Sequence, residues 1–285
     1  MDFEIVECPR DAMQGIKIFI PTAMKIAYMK ELLKVGFDVL DCGSFVHPAA
    51  VPQMADTPEV IRAIESIDSK SELLVIVANE RGAVRAAAFE RIRYLGFPLS
   101  VSETFQKRNT NSTRENAFMT LQKITDIARV SGKQVVCYIS MGFGNPYGDY
   151  YSEEEVLEWI ARIKELGINT ISLADTTSQA SPENIKSLYF KCITAFPDLN
   201  FGVHLHAAPF QWEDKVKAAI EAGCRRIDSA MLGFGGCPFA KDDMVGNLPT
   251  EIMLNWLKKE YHYNKLTVSG SLIAMASETY LYKVK

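Results

Sequence analysis

Long apolar runs are missing from this 285-residue chain: the longest is the six residues from Leu73 to Ala78, far short of the roughly 20 that a membrane-spanning helix needs. A basic run is missing too. Lys and Arg number 31 against 35 Asp and Glu, a formal net charge of −4, which argues against a nucleic-acid backbone or an anionic membrane as the main partner. Six cysteines occur (Cys8, Cys42, Cys137, Cys192, Cys224 and Cys237), but no two stand at a C-x2-C or C-x4-C spacing. Neither a zinc ribbon nor a thioredoxin-type site is therefore written here. Reduced thiols are expected, small and buried except for Cys237. The chain also lacks a Pro/Gly/Ser-rich linker, a low-complexity tract and a G-x-G-x-x-G after its first strand, so a Rossmann reading loses its main support. The acidic start Met1-Asp2-Phe3-Glu4 carries no secretory or transit signature, and a soluble cytoplasmic protein is expected.

What the chain does have is a core and a rhythm. Apolar residues make up 48% and charged residues 23%, enough to bury a sizeable interior. Strand-like runs at Phe3–Cys8, Asp38–Cys42, Glu72–Ala78, Leu99–Ser102, Gln134–Ser140, Thr170–Ala174, Phe201–His206 and Arg226–Ala230 alternate with amphipathic segments. The helical ones fall near Thr22–Val35, Thr57–Ile67, Gly82–Tyr94, Arg114–Ser131, Glu153–Leu166, after Pro182, and Trp212–Ala222. Repeats of about 30 residues are the βαβ signature. Eight of them in one continuous chain predict an α/β fold, a (β/α)8 TIM barrel, rather than a doubly wound sheet. The expected organisation is a single catalytic domain over 1–285, with residues after about 232 forming a glycine-rich loop and extra C-terminal helices.

In such a barrel the chemistry sits at the C-terminal ends of the strands. Strand one runs into Cys8-Pro9-Arg10-Asp11-Ala12-Met13-Gln14, strand two into Asp41-Cys42-Gly43-Ser44, and strand six into Asp175-Thr176. Strand five carries Tyr138 and Ser140, and strand seven, Val203-His204-Leu205-His206, holds two of the four histidines. Residues i and i+2 of a strand face the same way, so both imidazoles can enter the barrel mouth. With Asp11 they form a three-donor set suited to a divalent metal, with positions left open for substrate and water. The alternative is a pair of structural histidines satisfied by hydrogen bonds. Arg10 sets a permanent charge beside Asp11, either to meet a developing oxyanion or as an ion pair capping the barrel. Asp41 is a carboxylate orienting Arg10, a ligand, or a loop acid. Lys17, Lys107 and Arg108 lie in loops where they meet phosphates or simply face water. The stretch from Gly233 to Pro238 is glycine-dense enough to approach a ligand or to move as a lid. Within it, Cys237 has a thiol whose ordinary pKa of about 8.5 is tunable for proton transfer.

Several blocks together resemble the hydroxymethylglutaryl-CoA lyases of the DRE-TIM metallolyase superfamily. They are Val6-Glu7-Cys8-Pro9-Arg10-Asp11-Ala12-Met13-Gln14, Ser44-Phe45-Val46-His47-Pro48 with Val51-Pro52-Gln53-Met54, and Ser102-Glu103-Thr104-Phe105. Ser172-Leu173-Ala174-Asp175-Thr176, Val203-His204-Leu205-His206, Gly233-Phe234-Gly235-Gly236-Cys237-Pro238-Phe239-Ala240 and Gly246-Asn247-Leu248-Pro249-Thr250-Glu251 complete the series. The likeness spans nearly the whole chain, in order. It implies cleavage of 3-hydroxy-3-methylglutaryl-CoA to acetyl-CoA and acetoacetate, with Asp11, His204, His206 and Asn247 as ligands of Mg2+ or Mn2+. It implies Arg10 as the group stabilising the enolate of the departing acetyl-CoA, and Cys237 as the loop cysteine of proton transfer. Asp41 stands where the family has a glutamate, and Gln14 and Lys17 match positions near the acyl-CoA. Ser44, Tyr138, Asp175 and Thr176 complete the candidate substrate-binding set. An acyl-CoA is the expected partner, with no nucleic acid and no membrane, and the family analogy suggests a homodimer.

The chain departs from the family pattern at particular places. Ala12 follows Arg-Asp where the family has Gly, and Ala207 follows His-x-His where it has Asp. Thr177-Ser178 replaces a nearby glycine after Asp-Thr, and Asn145 replaces a strand-five loop cysteine. One extra residue lies between Cys237 and Asn247. These departures leave open a related aldolase or Claisen-type synthase with another substrate, or a degenerate barrel that only binds ligand.

Overall fold

Closure of the sheet on itself is the feature that places everything else. The computed structural model describes residues 1–236 and 245–283. Along the chain run β1 (Glu4–Glu7), α1 (Pro9–Gln14), α2 (Thr22–Val35), β2 (Val39–Ser44), α3 (Thr57–Ile64), β3 (Glu72–Ile76) and α4 (Glu80–Ala87). Then come β4 (Ile92–Ser100), α5 (Glu103–Thr110), α6 (Arg114–Val130), β5 (Gln134–Ser140), α7 (Glu153–Glu165), β6 (Thr170–Asp175) and α8 (Pro182–Ala195). The chain ends with β7 (Asn200–Ala207), α9 (Trp212–Glu221), β8 (Arg226–Ser229), a short β9 (Gly246–Asn247), α10 (Thr250–Tyr261) and α11 (Gly270–Tyr280). Strands β1 to β8 are parallel, each paired with the next, and β1 pairs with β8 from Glu4↔Arg226 to Glu7↔Ser229. The result is a (β/α)8 barrel with extra C-terminal helices, as expected. No helix among the described residues is long and apolar enough to cross a membrane.

Local sequence explains most element starts. Ser102, Thr113, Ser152 and Ser181 each accept a hydrogen bond from the backbone N–H three residues on, opening α5, α6, α7 and α8. The three glutamates in the first turn of α7 sit at its positive end. β3 is almost continuously apolar because both of its faces are covered. One region differs from the expectation. The helix predicted near Gly82–Tyr94 stops at Ala87, and the strand predicted at Leu99–Ser102 already begins at Ile92. Pairing of Tyr94, Leu95 and Gly96 with Gln134, Val135 and Val136 overrides the helical spacing of that stretch. α1 and α5 were not expected as helices; at 6 and 8 residues they are too short to show a period.

The barrel floor is polar. Tyr138, Ser172, Gly202 and Arg226 are register neighbours across β5, β6, β7 and β8. Arg226 is buried and paired with Glu4. Gly202 makes room for it: a Cβ there would lie 2.9 Å from both Cγ and Cδ of Arg226.

The C-terminal helices are tied down at two places. Tyr280 of α11 and Tyr28 of α2 meet hydroxyl to hydroxyl at 2.9 Å, with their rings edge to face. Glu7 accepts from the Met231 N–H at 2.9 Å, and its other oxygen lies 2.5 Å from Thr250 Oγ1, at the start of α10. Complete burial pushes Glu7 up to about 8, although the Thr250 and Met231 bonds work the other way. Its folded pKa thus stands above the ordinary value of 4.5. The stabilisation is fully present below that value and is lost as pH rises through the folded pKa. Stability measured by urea unfolding is expected to fall between about pH 5 and pH 8, and Glu7→Gln should flatten that slope; equal slopes in the two proteins would place the titration elsewhere.

Candidate functional site

Strand alternation puts His204 and His206 on the same face of β7, with ring centroids 5.0 Å apart. β1 ends immediately before α1, whose first turn carries Arg10 and Asp11 into the same mouth. One ligand atom from each of Asp11, His204 and His206 lies within 4.8 Å of the others. All three side chains are buried, and all line a cavity of about 460 Å³ at the C-terminal end of the barrel. Two nitrogen donors and one carboxylate oxygen form a set that fits a divalent cation.

The imidazoles are held unequally. His204 Nδ1 lies 3.1 Å from Asp228 Oδ2, which leaves Nε2 for the mouth. Among the described residues His206 Nδ1 has only the Gly246 carbonyl, at 3.4 Å. Burial pushes the His204 pKa down, but Asp228 outweighs it and the net direction is up. Burial and the neighbouring His204 lower His206 to about 4. Burial raises Asp11, yet Arg10 and both imidazoles more than offset it and hold the carboxyl at about 2. At neutral pH Asp11 is therefore an anion and His206 a neutral imidazole.

Cys8, His204 and Asp228 form a second close group. Cys8 is buried and its thiol pKa is pushed up, by burial first and then by Asp228, Asp41 and Asp11. Neither Cys8 nor Asp228 lines the cavity, whereas the Asp11 group does.

Arg10 is held from three sides. Nε lies 3.0 Å from Asp41 Oδ2, Nη2 donates to the same oxygen, and Nη1 donates to Asp11 Oδ1 and Gln14 Oε1, both at 2.9 Å. Burial opposes its charge, but Asp41 and Asp11 raise its pKa overall. Asn247 arrives by a different route. β9 pairs antiparallel with β7, setting Asn247 opposite His206. Its Nδ2 donates to Asp11 Oδ2 at 2.7 Å and to the Phe234 carbonyl at 2.8 Å, so it is the amide nitrogen that faces Asp11.

The other sequence candidates divide. Gln14, Lys17, Ser44, Tyr138 and Thr176 line the cavity with the Asp11 group. Asp41 lies beneath Arg10 as its bidentate partner. Asp175 does not line the cavity. Expected among the substrate-binding residues, it is buried at the end of β6, where its carboxylate accepts from the backbone N–H groups of Gln179 and Ala180 and from Lys215 Nζ. Lys107 pairs with Glu103, and Arg108 stands over the Tyr147 ring; neither lines the cavity. Cys237 lies outside the described residues.

Three side chains that organise the site were not singled out from sequence. Asp228 orients His204. Gln53 ties down the loop before α2, accepting from the Ile20 N–H and donating to the Ile16 and Ile18 carbonyls at 2.9 Å. Lys215 is a lysine on the apolar row Trp212, Lys215, Val216, Ala219 of α9, a spacing signal that was legible.

Gly235 is where the C-terminal loop touches the site. Its φ is +97°, and a Cβ there would lie 2.6 Å from Asn247 Nδ2, 2.7 Å from the Asp11 carbonyl and 2.8 Å from Ala12 Cα. Gly235→Ala is expected to push Asn247 off Asp11 and to cost about 1–3 kcal/mol of stability in urea unfolding. Unchanged stability would show that this close approach is dispensable.

Residues 3–274 match the family model described as HMGL-like. The chain is 34% identical over 258 residues to a cytoplasmic 3-hydroxy-3-methylglutaryl-CoA lyase of Mus musculus, covering 89% of this chain and 74% of that one. It is 33% identical over 282 residues to a mitochondrial hydroxymethylglutaryl-CoA lyase of the same organism, covering 96% and 85%. Among solved structures, an HMG-CoA lyase from Acinetobacter baumannii in complex with coenzyme A and 3-methylmalate superposes with a TM-score of 0.89 at 29% identity, covering 97% of this chain and 90% of that one.

Proposed function

The chain belongs to the HMGL-like family, and on that premise we propose that it is a divalent-metal-dependent carbon–carbon lyase cleaving 3-hydroxy-3-methylglutaryl-CoA to acetyl-CoA and acetoacetate. The observation that carries this reading is the Asp11, His204 and His206 donor set beside Arg10, opening on one cavity. Asp11, His204 and His206 would hold the ion, Mg2+ or Mn2+, with Asn247 adjoining. An ion held there would supply Lewis acidity, which makes a tertiary hydroxyl easier to deprotonate.

The chain's own groups account for the rest. The reaction removes the proton of the tertiary hydroxyl, breaks the C2–C3 bond, and leaves the electron pair on C2 as the enolate of acetyl-CoA. Asp11 and His204 are the candidate bases, both at the mouth and both oriented by neighbours. Arg10 has five N–H groups. Those on Nε and Nη1 and one on Nη2 are taken by Asp41, Asp11 and Gln14, leaving one Nη2 hydrogen for the thioester oxygen as charge builds on it. Cys237 is the proposed acid that protonates the enolate carbon. Gln14, Lys17, Ser44, Tyr138 and Thr176 form the proposed walls for the acyl-CoA.

A second reading has its own support. Ser178 and Ala207 alter the surroundings of β6 and β7 while the donor set is intact, which favours a related aldolase or Claisen-type synthase acting on another substrate. Acetoacetate release from HMG-CoA by metal-stripped protein, with and without added Mg2+ or Mn2+, separates the two. Metal-restored turnover is expected, and Asp11→Asn or His204→Ala should reduce it by at least about 100-fold with the fold retained. Bound metal without turnover would move the search to 4-hydroxy-2-oxo acids and other 3-hydroxyacyl thioesters. Near-wild-type rates in either variant would sink the proposed chemistry.

A further inference from the structure

One side chain touches Ser178, a departure at the barrel mouth, and the carbonyl of His206, which precedes another, Ala207. Lys215, on α9, is 4% exposed. Its ammonium donates to Asp175 Oδ2 at 2.7 Å, Ser178 Oγ at 3.0 Å and the His206 carbonyl at 3.0 Å. An ammonium has three N–H groups and no acceptor, so the site uses all of them. Each partner comes from a different turn or strand end: Asp175 closes β6, Ser178 sits in the turn that follows, and His206 stands near the end of β7.

The acceptors are otherwise hard to hold in place. Ser178 is a non-glycine residue at φ +57°, a conformation that costs free energy without a compensating contact. Asp175 already accepts from the Gln179 and Ala180 N–H groups, so the turn closes around its carboxylate. His206 is the less tethered of the two imidazoles. Among the described residues its Nδ1 reaches the Gly246 carbonyl alone, at 3.4 Å, whereas His204 has Asp228 at 3.1 Å. Position 207, where the family pattern has an acid, is Ala207. Among the described residues, the ring of His206 thus has one long hydrogen bond. Its backbone is held by the pairing with Asn247 of β9 and, at its carbonyl, by Lys215.

We propose that Lys215 is a positioning residue: its ammonium binds the carboxylate that closes β6, the strained Ser178 and the His206 carbonyl into one unit, and so aims the His206 imidazole at Asp11 and His204. This inference rests on the reading of Asp11, His204 and His206 as a cation site, and it identifies what holds that site on its β6–β7 side. Ser178 and Ala207 are then a matched set with Lys215. Ser178 supplies the third acceptor that a glycine could not. With alanine at 207, the side chain there offers no polar group to the strand end, and the lysine adds a hold on the main chain to that of β9.

The test uses the full chain and Mn2+ as the probe, with affinity measured by titration calorimetry at a temperature where circular dichroism shows the protein folded. Lys215→Met keeps the stem and removes the donors; it is expected to bind Mn2+ about 10- to 100-fold more weakly than wild type. Lys215→Gln keeps an amide donor in the same space and should show a smaller loss. A folded variant of either kind that binds Mn2+ as tightly as wild type would overturn the role of Lys215 and leave the cation site standing. Wild-type protein that binds no Mn2+ would instead overturn the reading of the site itself. If both variants fail to fold, Lys215 is a folding residue and the positioning role is overturned as well.

Discussion

The mouth of the barrel depends on Arg10 standing as a buried cation between two buried carboxylates. A buried charge persists only when it is paired and its hydrogen-bonding groups are satisfied, and here one guanidinium serves Asp41 and Asp11 together. Asp41 takes the bidentate contact, so Arg10 neutralises it most fully. Asp11 receives one Arg10 N–H, on the oxygen that also accepts from Gln14 Nε2, and its other oxygen accepts from Asn247. One positive charge between two negative ones leaves an excess negative charge on the Asp11 side, which faces two imidazoles. A site of net negative charge with nitrogen donors is what a divalent cation requires. The Arg10 pairing thus fixes the geometry of Asp11 and also sets the sign of the field where a ligand would sit.

Backbone strain is concentrated at the same end of the barrel. Met141, Ser178 and Leu232 lie just beyond β5, β6 and β8 with φ of 58°, 57° and 62°, a region that non-glycine residues seldom enter. Each is held by a specific bond. The Met141 N–H donates to Thr176 Oγ1 at 3.0 Å, the Leu232 N–H to Glu251 Oε2 at 2.9 Å, and Ser178 Oγ accepts from Lys215. Loops that must turn sharply to leave the mouth open need such conformations. For Met141 and Ser178 the bond comes from the next βα unit, so the rim is cross-linked from β5 to β7.

How much of this was legible in the sequence follows from the range of each signal. The two-residue period of Val203-His204-Leu205-His206 is local, and it correctly faced both imidazoles to one side. The (β/α)8 rhythm is a sum of local patterns and survived one misplaced boundary at β4. Asn247 is different, because its position beside His206 is made by β9 pairing with β7 across 40 residues of chain; only the resemblance pointed to it. Asp175 sits at the right strand end, but its carboxylate turns to the backbone of its own turn and to Lys215. A strand-end rule gives a residue's height in the barrel and not the side to which its functional group turns. Lys215 was visible as a charged residue on an apolar helical row, a feature that in a buried helix demands partners.

The departures from the family pattern argue against simple decay of the site. Relaxed constraint would leave unpaired polar groups and poor packing wherever a substitution fell. Here each one meets a local counterpart. Ala12 packs its Cα against the place where Gly235 has no side chain. Asn145 accepts from the N–H groups of Tyr147 and Asp149, and Asp149 in turn accepts from Ser102 and Thr104 at the start of α5. Ser178 meets Lys215, which also holds the carbonyl of His206, the residue before Ala207. The groups at the cavity, Asp11, Arg10, His204 and His206, keep their mutual contacts throughout. Change around a preserved cluster alters how the cluster is held and what shape it presents, while leaving its charge and donor chemistry alone. That pattern fits a retained carbon–carbon bond chemistry whose substrate fit is set by the walls rather than by the donor set.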